Sequence, residues 1–303
     1  MNILIIGAKG FIGSHLLDYF KEKNHQVWGA DVVVDYTLRS NYFLIDASNS
    51  DFTSLLANNQ YDVCINCSGA ASVPQSIDQP FRDFLLNTAN VFKILEAIRL
   101  NNTECKFINF SSAAIYGNPD SLPIKESQKK DPMSPYGQHK WMSEQICQEF
   151  SNYFKLKTCS LRVFSAFGEG LHKQIFWDIA QKAAHNDIIE LYGTGNESRD
   201  FIYIKDLAFA VECIINKADF NGEAVNIANG EEISIYTAVA EFLDNFESPK
   251  IISFGGQVRE GDPLNWVADI SLLKSFGYVS KFSFSDGLKY YYDWLLESGH
   301  LKT

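Results

Sequence analysis

Short apolar runs alternate with longer stretches of helical period through the first half of the chain. Ile3-Leu4-Ile5-Ile6 leads into a helical pattern through His15 to Lys23, then into Gln26-Val27-Trp28-Gly29-Ala30-Asp31. Tyr61 to Cys67 precedes a helix predicted from Phe81 to Leu100, which runs into Lys106 to Ser112. A further helix from Pro135 to Phe154 precedes Lys157 to Phe164. Strands separated by helices at this spacing predict an α/β protein with a doubly wound parallel sheet, covered on both faces. Beyond Phe167 the rhythm loosens into shorter elements between turn signals such as Gly193-Thr194-Gly195. The pattern predicts one domain over 1–167, rejoined by 201–228, and a smaller C-terminal α/β domain over 168–200 and 229–303.

Two helices carry more apolar surface than one sheet face requires. The 81–100 stretch is apolar nearly all round, and the 135–154 helix adds Trp141, Met142, Ile146, Phe150 and Phe154. Such helices must be covered on the far side too. Either the rest of the chain covers them or, as we prefer, a second copy does, in a four-helix homodimer contact.

Composition narrows the class of protein. A chain of 303 residues, 46% apolar and 21% charged, suits a soluble globular fold with a large core. The net charge of −11 argues against nucleic acid and anionic membrane surfaces as partners. No apolar run approaches the roughly 18 residues a membrane span needs. The opening residues lack a basic region and cleavage site, so a cytoplasmic location is expected. Cys64-Ile65-Asn66-Cys67 has metal or redox spacing, but on a strand the two thiols face opposite sides. With no second pair to complete a zinc set, they read as buried thiols, and no metal is expected.

Chemistry concentrates at two places. Gly7-Ala8-Lys9-Gly10-Phe11-Ile12-Gly13 follows the first strand and opens the first helix. Glycines there permit a tight turn and close approach to a pyrophosphate, whose charge the helix N-terminus favours. Asp31 ends the second strand about twenty residues on, where a carboxylate binds the ribose 2′-hydroxyl of NAD and repels the phosphate of NADP. Arg39 reads as a surface arginine. Asp46 either meets the adenine amino group or caps a loop.

Ser134-Pro135-Tyr136-Gly137-Gln138-His139-Lys140 starts the long helix, placing Tyr136 and Lys140 on one helix face. A tyrosine with a pKa of about 10 is a poor base, and lowering it to about 7 corresponds to roughly 4 kcal/mol. A lysine ammonium beside it, with a positive nicotinamide ring, favours the phenolate. Ser112 stands at the C-terminal end of a strand, the sheet edge where ligands bind in such folds.

These segments together resemble the extended short-chain dehydrogenase/reductase superfamily, specifically its NAD-dependent nucleotide-sugar epimerases and dehydratases. GAKGFIG is similar to the family's cofactor loop, SSAAIYG to its serine segment and SPYGQHK to its Tyr-x-x-x-Lys segment. LRVFSAFGEG, RDFIYIKDLA and REGD resemble later signatures. The resemblance covers nearly the whole chain. It implies a Rossmann-type sheet, with Tyr136 as base, Lys140 as its electrostatic partner and Ser112 as donor to the sugar oxygen at carbon 4. It implies cofactor contacts from Gly7, Lys9, Gly10, Phe11, Ile12, Gly13, Asp31, Asp46, Ala47, Ser68, Ala70 and Phe164, besides Tyr136 and Lys140. Substrate contacts are implied for Ser72, Ser112, Ser165, Arg199, Arg259 and Asp262, the two arginines on the diphosphate. Ser165 stands where many members have asparagine, a departure that bears on one expected hydrogen bond to cofactor or substrate.

In the family's 4,6-dehydratases an Asp-Glu pair follows the serine, and decarboxylating members keep a glutamate there. Here those positions are Ala113 and Ala114, whose methyl groups cannot move protons. That leaves reversible oxidation at a carbinol. The resemblance then implies NAD-dependent 4-epimerisation of a nucleotide-diphosphate sugar. A 4-keto-sugar reductase is the alternative, against which Asp31 counts, and an idle dinucleotide-binding protein is a third reading that the presence of Tyr136 and Lys140 disfavours. Polysaccharide biosynthesis is the setting family habit suggests.

Overall fold

The computed structural model describes residues 1–36, 41–57, 59–257 and 263–301. Six strands enter in chain order: β1 (Asn2–Ile6), β2 (Gln26–Asp31), β3 (Tyr42–Leu44), β4 (Val63–Asn66), β5 (Lys106–Ser112) and β6 (Thr158–Val163). A seventh, Asn221–Ile227, pairs in parallel with β6. The sheet runs in the order Asn221–Ile227, β6, β5, β4, β1, β2, β3, with every pairing parallel. Strand order therefore reverses between β1 and β4, which opens a crevice at their C-terminal ends.

The alternation of side chains along β1 shows why these runs form a two-faced sheet. Ile3 and Ile5 join one core with Leu16 and Phe20 of helix α1 (Phe11–Glu22). Leu4 and Ile6 join the other, with residues of α2 (Thr53–Ala57) and of the later helices 90–101 and 135–154. Ile3, Leu4 and Ile5 are fully buried, and each such side chain contributes roughly 1.5–3 kcal/mol. The α/β, Rossmann-type sheet expected from the sequence is the fold.

After β4 come α3 (Val73–Asp78) and α4 (Pro80–Phe84). The helix expected over 81–100 is interrupted: α4 passes into a π turn, Leu85–Ala89, before α5 (Asn90–Asn101). The widened turn carries two buried polar residues, Asn87 and Thr88. Thr88 Oγ1 donates to the carbonyl of His139 at 3.0 Å, so the turn is latched to α6 (Pro135–Phe154). Helical period alone does not distinguish a π turn from a continued α-helix.

The smaller part of the chain is also α/β. Ile188–Leu191 pairs in parallel with Ile251–Phe254, and Ser198–Arg199 pairs antiparallel with Ile233–Ser234. Helices Gln174–Ala183, Ile235–Leu243 and Phe284–Glu297 pack around them. No helix among the described residues is long and apolar enough to cross a membrane.

Candidate active site

The glycine turn between β1 and α1 is shaped by close packing. Gly7 has φ +84°, and a Cβ there would lie 2.6 Å from the amide nitrogen of Ser68. A Cβ on Gly13 would lie 2.1 Å from the Gly7 carbonyl oxygen. Gly10 differs: its Cβ would meet only that same oxygen, at 3.3 Å, so a side chain there would fill open space in front of α1. Gly10 is the N-cap without a side-chain cap, and among the described residues the amides of Phe11, Ile12 and Gly13 have no protein acceptor. Free amides at the N-terminus of a 12-residue helix favour a phosphate.

Asp31 ends β2 beside this turn. Its Oδ2 accepts from the Lys9 amide at 2.8 Å, and its Oδ1 accepts from Val32 at 2.7 Å and Val33 at 3.3 Å. A carboxylate has about four acceptor sites, so room remains for one further donor. Lys9 pairs with Asp35 at 3.2 Å. Glycine turn, unfilled amides and carboxylate together fit a dinucleotide such as NAD.

The second centre depends on a close approach between α6 and β5. Ser134 caps α6, accepting from the Gly137 amide at 3.2 Å, and Pro135 occupies the first turn. A Cβ on Gly137 would lie 2.6 Å from the Ala114 carbonyl oxygen, so only glycine lets the helix meet the 3₁₀ turn Ala113–Tyr116. The Tyr136 amide donates to Ser76 Oγ of α3 at 3.1 Å. Ser112, at the end of β5, accepts from the Ala114 amide at 3.1 Å. Its hydroxyl stands beside Tyr136, where it favours the ionised phenol. Lys140 Nζ donates to the Phe110 carbonyl at 2.7 Å and lies 6.0 Å from the centre of the Tyr136 ring. Ala113 is fully buried and Ala114 half-buried, with no acid in their place.

Burial dominates the electrostatics. It pulls the Lys140 ammonium down to about 8, against the nearby Asp83, Cys67 and Glu144. Burial also raises the Tyr136 phenol above its ordinary value, with Ser112 opposing and Asp83 assisting. The lysine was expected to lower the phenol; in the protein alone its ammonium is directed to a backbone carbonyl of β5, and desolvation is the larger effect.

The other sequence candidates are placed as follows. Asp46 is exposed, and its Oδ1 accepts from the Ser48 amide and hydroxyl at 2.8 and 2.6 Å, which holds its carboxyl below the usual range. Ala47 is exposed beside it. Ser68 donates to Asn66 Oδ1 at 2.5 Å, and Ala70 follows on the same loop. Ser72 caps α3, accepting from Gln75 at 3.4 Å. Phe164 is buried against Trp266, their rings 5.8 Å apart. The Ser165 amide donates to Asp200 at 3.0 Å. Arg199 donates to the carbonyls of Ser198 and Leu264 at 2.8 and 3.2 Å, with its guanidinium 5.7 Å from the Trp266 ring centre. Asp200 anchors that segment by accepting from the amides of Asn229, Gly230 and Ala268, and burial pushes its carboxyl up to about 7. Arg39, Arg259 and Asp262 lie outside the described residues. All six cysteines are free thiols, and no metal-binding cluster occurs among the described residues.

Two features here had no sequence signal. A buried network joins Glu144 to Arg162 at 2.7 Å, Arg162 to Tyr116 at 2.8 Å, and Tyr116 to Asn226 at 2.7 Å, tying α6 to three strand ends. Lys173 Nζ reaches the Ala71 carbonyl at 3.4 Å, across the loop that carries Ala70 and Ser72. Both depend on contacts between segments far apart in the chain.

The NAD dependent epimerase/dehydratase family matches residues 3–228. A UDP-glucose 4-epimerase of Streptococcus mutans is 33% identical over 299 residues, covering 88% of each chain. One from Rhizobium meliloti is 28% identical, again over 88% of each. The crystal structure of UDP-glucuronic acid 4-epimerase from Bacillus cereus, in complex with UDP-glucuronic acid and NAD, superposes with a TM-score of 0.88. It is 27% identical and covers 98% of this chain and 100% of its own. The family match spans most of the chain, and this chain belongs to the NAD-dependent epimerase/dehydratase family.

Proposed function

We propose that this chain epimerises a UDP-sugar at carbon 4. The observation that carries the reading is the composition of one sheet edge: Ser112, Tyr136 and Lys140 converge there, and alanines follow Ser112 where elimination would need acids. The Streptococcus mutans relative and the Bacillus cereus neighbour are UDP-sugar 4-epimerases, which supports the same substrate class here.

Ser112 would hold the 4-hydroxyl oxygen by hydrogen bonding. Tyr136 would take the proton from that oxygen and return it, an acid–base role worth about 10²–10⁴ in rate. Lys140, as the ammonium, would stabilise the phenolate during the exchange. Bound NAD supplies reversible two-electron oxidation of the carbinol, leaving the cofactor unchanged over a cycle. Gly7, Gly10 and Gly13 with the free α1 amides would hold its pyrophosphate, and Asp31 the adenosine ribose. Arg199 and Arg259 would clamp the substrate diphosphate, a suitable target for guanidinium groups, while the sugar turns between faces. On this reading residues 1–167 with 201–228 hold the cofactor, and 168–200 with 229–303 hold the nucleotide sugar. Six free thiols suit a reducing cytoplasm, and surface-polysaccharide synthesis is the setting we favour.

A homodimer accompanies this reading. Phe81, Leu100 and Tyr153 are 72%, 59% and 79% exposed, on α4, α5 and α6, and Leu85, Phe92 and Phe154 are also exposed. Such a stripe on adjacent helices suits an isologous four-helix contact.

Three outcomes are expected. NMR should show UDP-glucose and UDP-galactose, or their N-acetyl or uronic counterparts, interconverting without added reductant, and Tyr136→Phe should reduce turnover at least about a hundredfold. No conversion of any of these, with net oxidation of NADPH on a 4-keto sugar, would overturn the reading. The Lys140 ammonium loses its proton as pH rises through about 8, so kcat/KM should fall above that pH. A profile flat from pH 7 to about 10 would exclude it as the required ammonium. Light scattering should give twice the 34.2 kDa chain mass, and Phe81→Asp with Tyr153→Asp should give one chain mass. A monomeric wild type would remove the dimer.

A further inference from the structure

Behind the reacting groups lies a buried carboxylate that the proposed steps do not use. Asp83, on α4, is 3% exposed, and both of its oxygens are engaged. Oδ1 accepts from Asn87 Nδ2 at 3.0 Å, and Oδ2 accepts from His139 Nδ1 at 2.6 Å. A carboxylate only accepts, so Nδ1 of His139 carries the hydrogen. His139 immediately precedes Lys140 on α6, its ring stands edge-on to Phe84, and its carbonyl takes the Thr88 hydroxyl. The histidine is therefore fixed from two sides of the seam between α4, the π turn and α6.

The consequence appears at Asn87, which is 1% exposed. Because Asp83 takes its Nδ2, the amide oxygen must point the other way. That Oδ1 is buried and has no hydrogen-bond partner. A Cβ on Gly69 would lie 2.4 Å from Asn87 Oδ1 and 3.6 Å from Lys140 Nζ, so oxygen and ammonium flank the same point. A buried acceptor left without a donor is costly. The ammonium has three hydrogens, one of which goes to the Phe110 carbonyl. A direct or water-bridged link from Lys140 to Asn87 would satisfy both.

We propose that Asp83 is a positioning residue for Lys140. Held by His139, it aims the Asn87 oxygen at the ammonium and keeps a negative charge close by. The inference rests on the reading of Lys140 as the electrostatic partner of Tyr136. The charge argument agrees with the geometry: of the groups that favour the Lys140 ammonium against burial, Asp83 is the strongest. The other charged or titratable groups facing Lys140 are Cys67 after β4, Glu144 on α6, paired with Arg162 of β6, and Tyr136. β5 presents the neutral Phe110 carbonyl, and the π turn presents the Asn87 amide.

Asp83→Asn tests this, because it removes the charge and keeps the shape. Without that charge the ammonium gives up its proton at lower pH, so the alkaline limb of kcat/KM moves toward acid by about one pH unit. The limb is displaced rather than the whole profile lowered. A latch that only held α4 to α6 would lower the melting temperature and scale activity down, with that limb in place. Asp83→Asn with His139→Gln, an amide pair in place of the charged one, carries the test if the single variant does not fold, and the same displacement is expected. Loss of fold in both variants, or a limb unmoved in a folded one, overturns the inference. Lys140→Met separates the two readings. If it keeps wild-type kcat, the role of Lys140 itself fails; if it is inactive while the Asp83 variants keep the limb in place, only this inference fails.

Discussion

The first turn of α6 lies against the turn that follows β5 so closely that no side chain fits at Gly137, whose Cβ would sit 2.6 Å from the Ala114 oxygen. The rest of the site depends on that contact. It brings Tyr136 beside Ser112, although the two are about two dozen residues apart, and places Lys140 one helical turn further in, under the Phe110 carbonyl. Three connections hold the approach: the Ser134 cap, the bond from the Tyr136 amide to Ser76, and the buried Glu144–Arg162 pair. A buried pair of this kind is weak evidence for stability but fixes one arrangement of α6 against β6, because separating it strands a charge.

Desolvation sets the electrostatic problem that this geometry must solve. Burial raises the Tyr136 phenol and pulls down the Lys140 ammonium, so both tend toward their neutral forms in the protein alone. The proposed chemistry needs the opposite, a phenolate beside an ammonium. The Ser112 hydroxyl assists the first, and the charge of Asp83 assists the second while opposing the first.

Much of this was legible in the sequence where spacing within one element carries the information. The glycine turn announces itself by three glycines between a strand and a helix, and the Tyr-x-x-x-Lys spacing puts two groups on one face of a single helix. Asp31 at the end of β2 and Ser112 at the end of β5 follow from reading where apolar runs stop. What was not legible depends on contacts between distant segments. His139 reads as an ordinary helix residue until α4 is packed beside it, and Asn87 as one more position in an apolar helix until the π turn rotates it inward. Asp46 was open to two readings, and its carboxylate accepts from Ser48 in a local turn. The smaller α/β part was expected only in outline, because short elements between turns carry too little periodicity to fix their pairing.

The most direct measurement is to purify the protein without added cofactor, release any bound nucleotide with acid or heat, and identify it by mass spectrometry. NAD retained in near-stoichiometric amount is the expected result, since a cofactor restored every cycle has no reason to leave a site built from the glycine turn and Asp31. A protein that emerges empty and binds NADPH better than NADH would contradict the assignment of Asp31 to the ribose, and with it the self-contained epimerase.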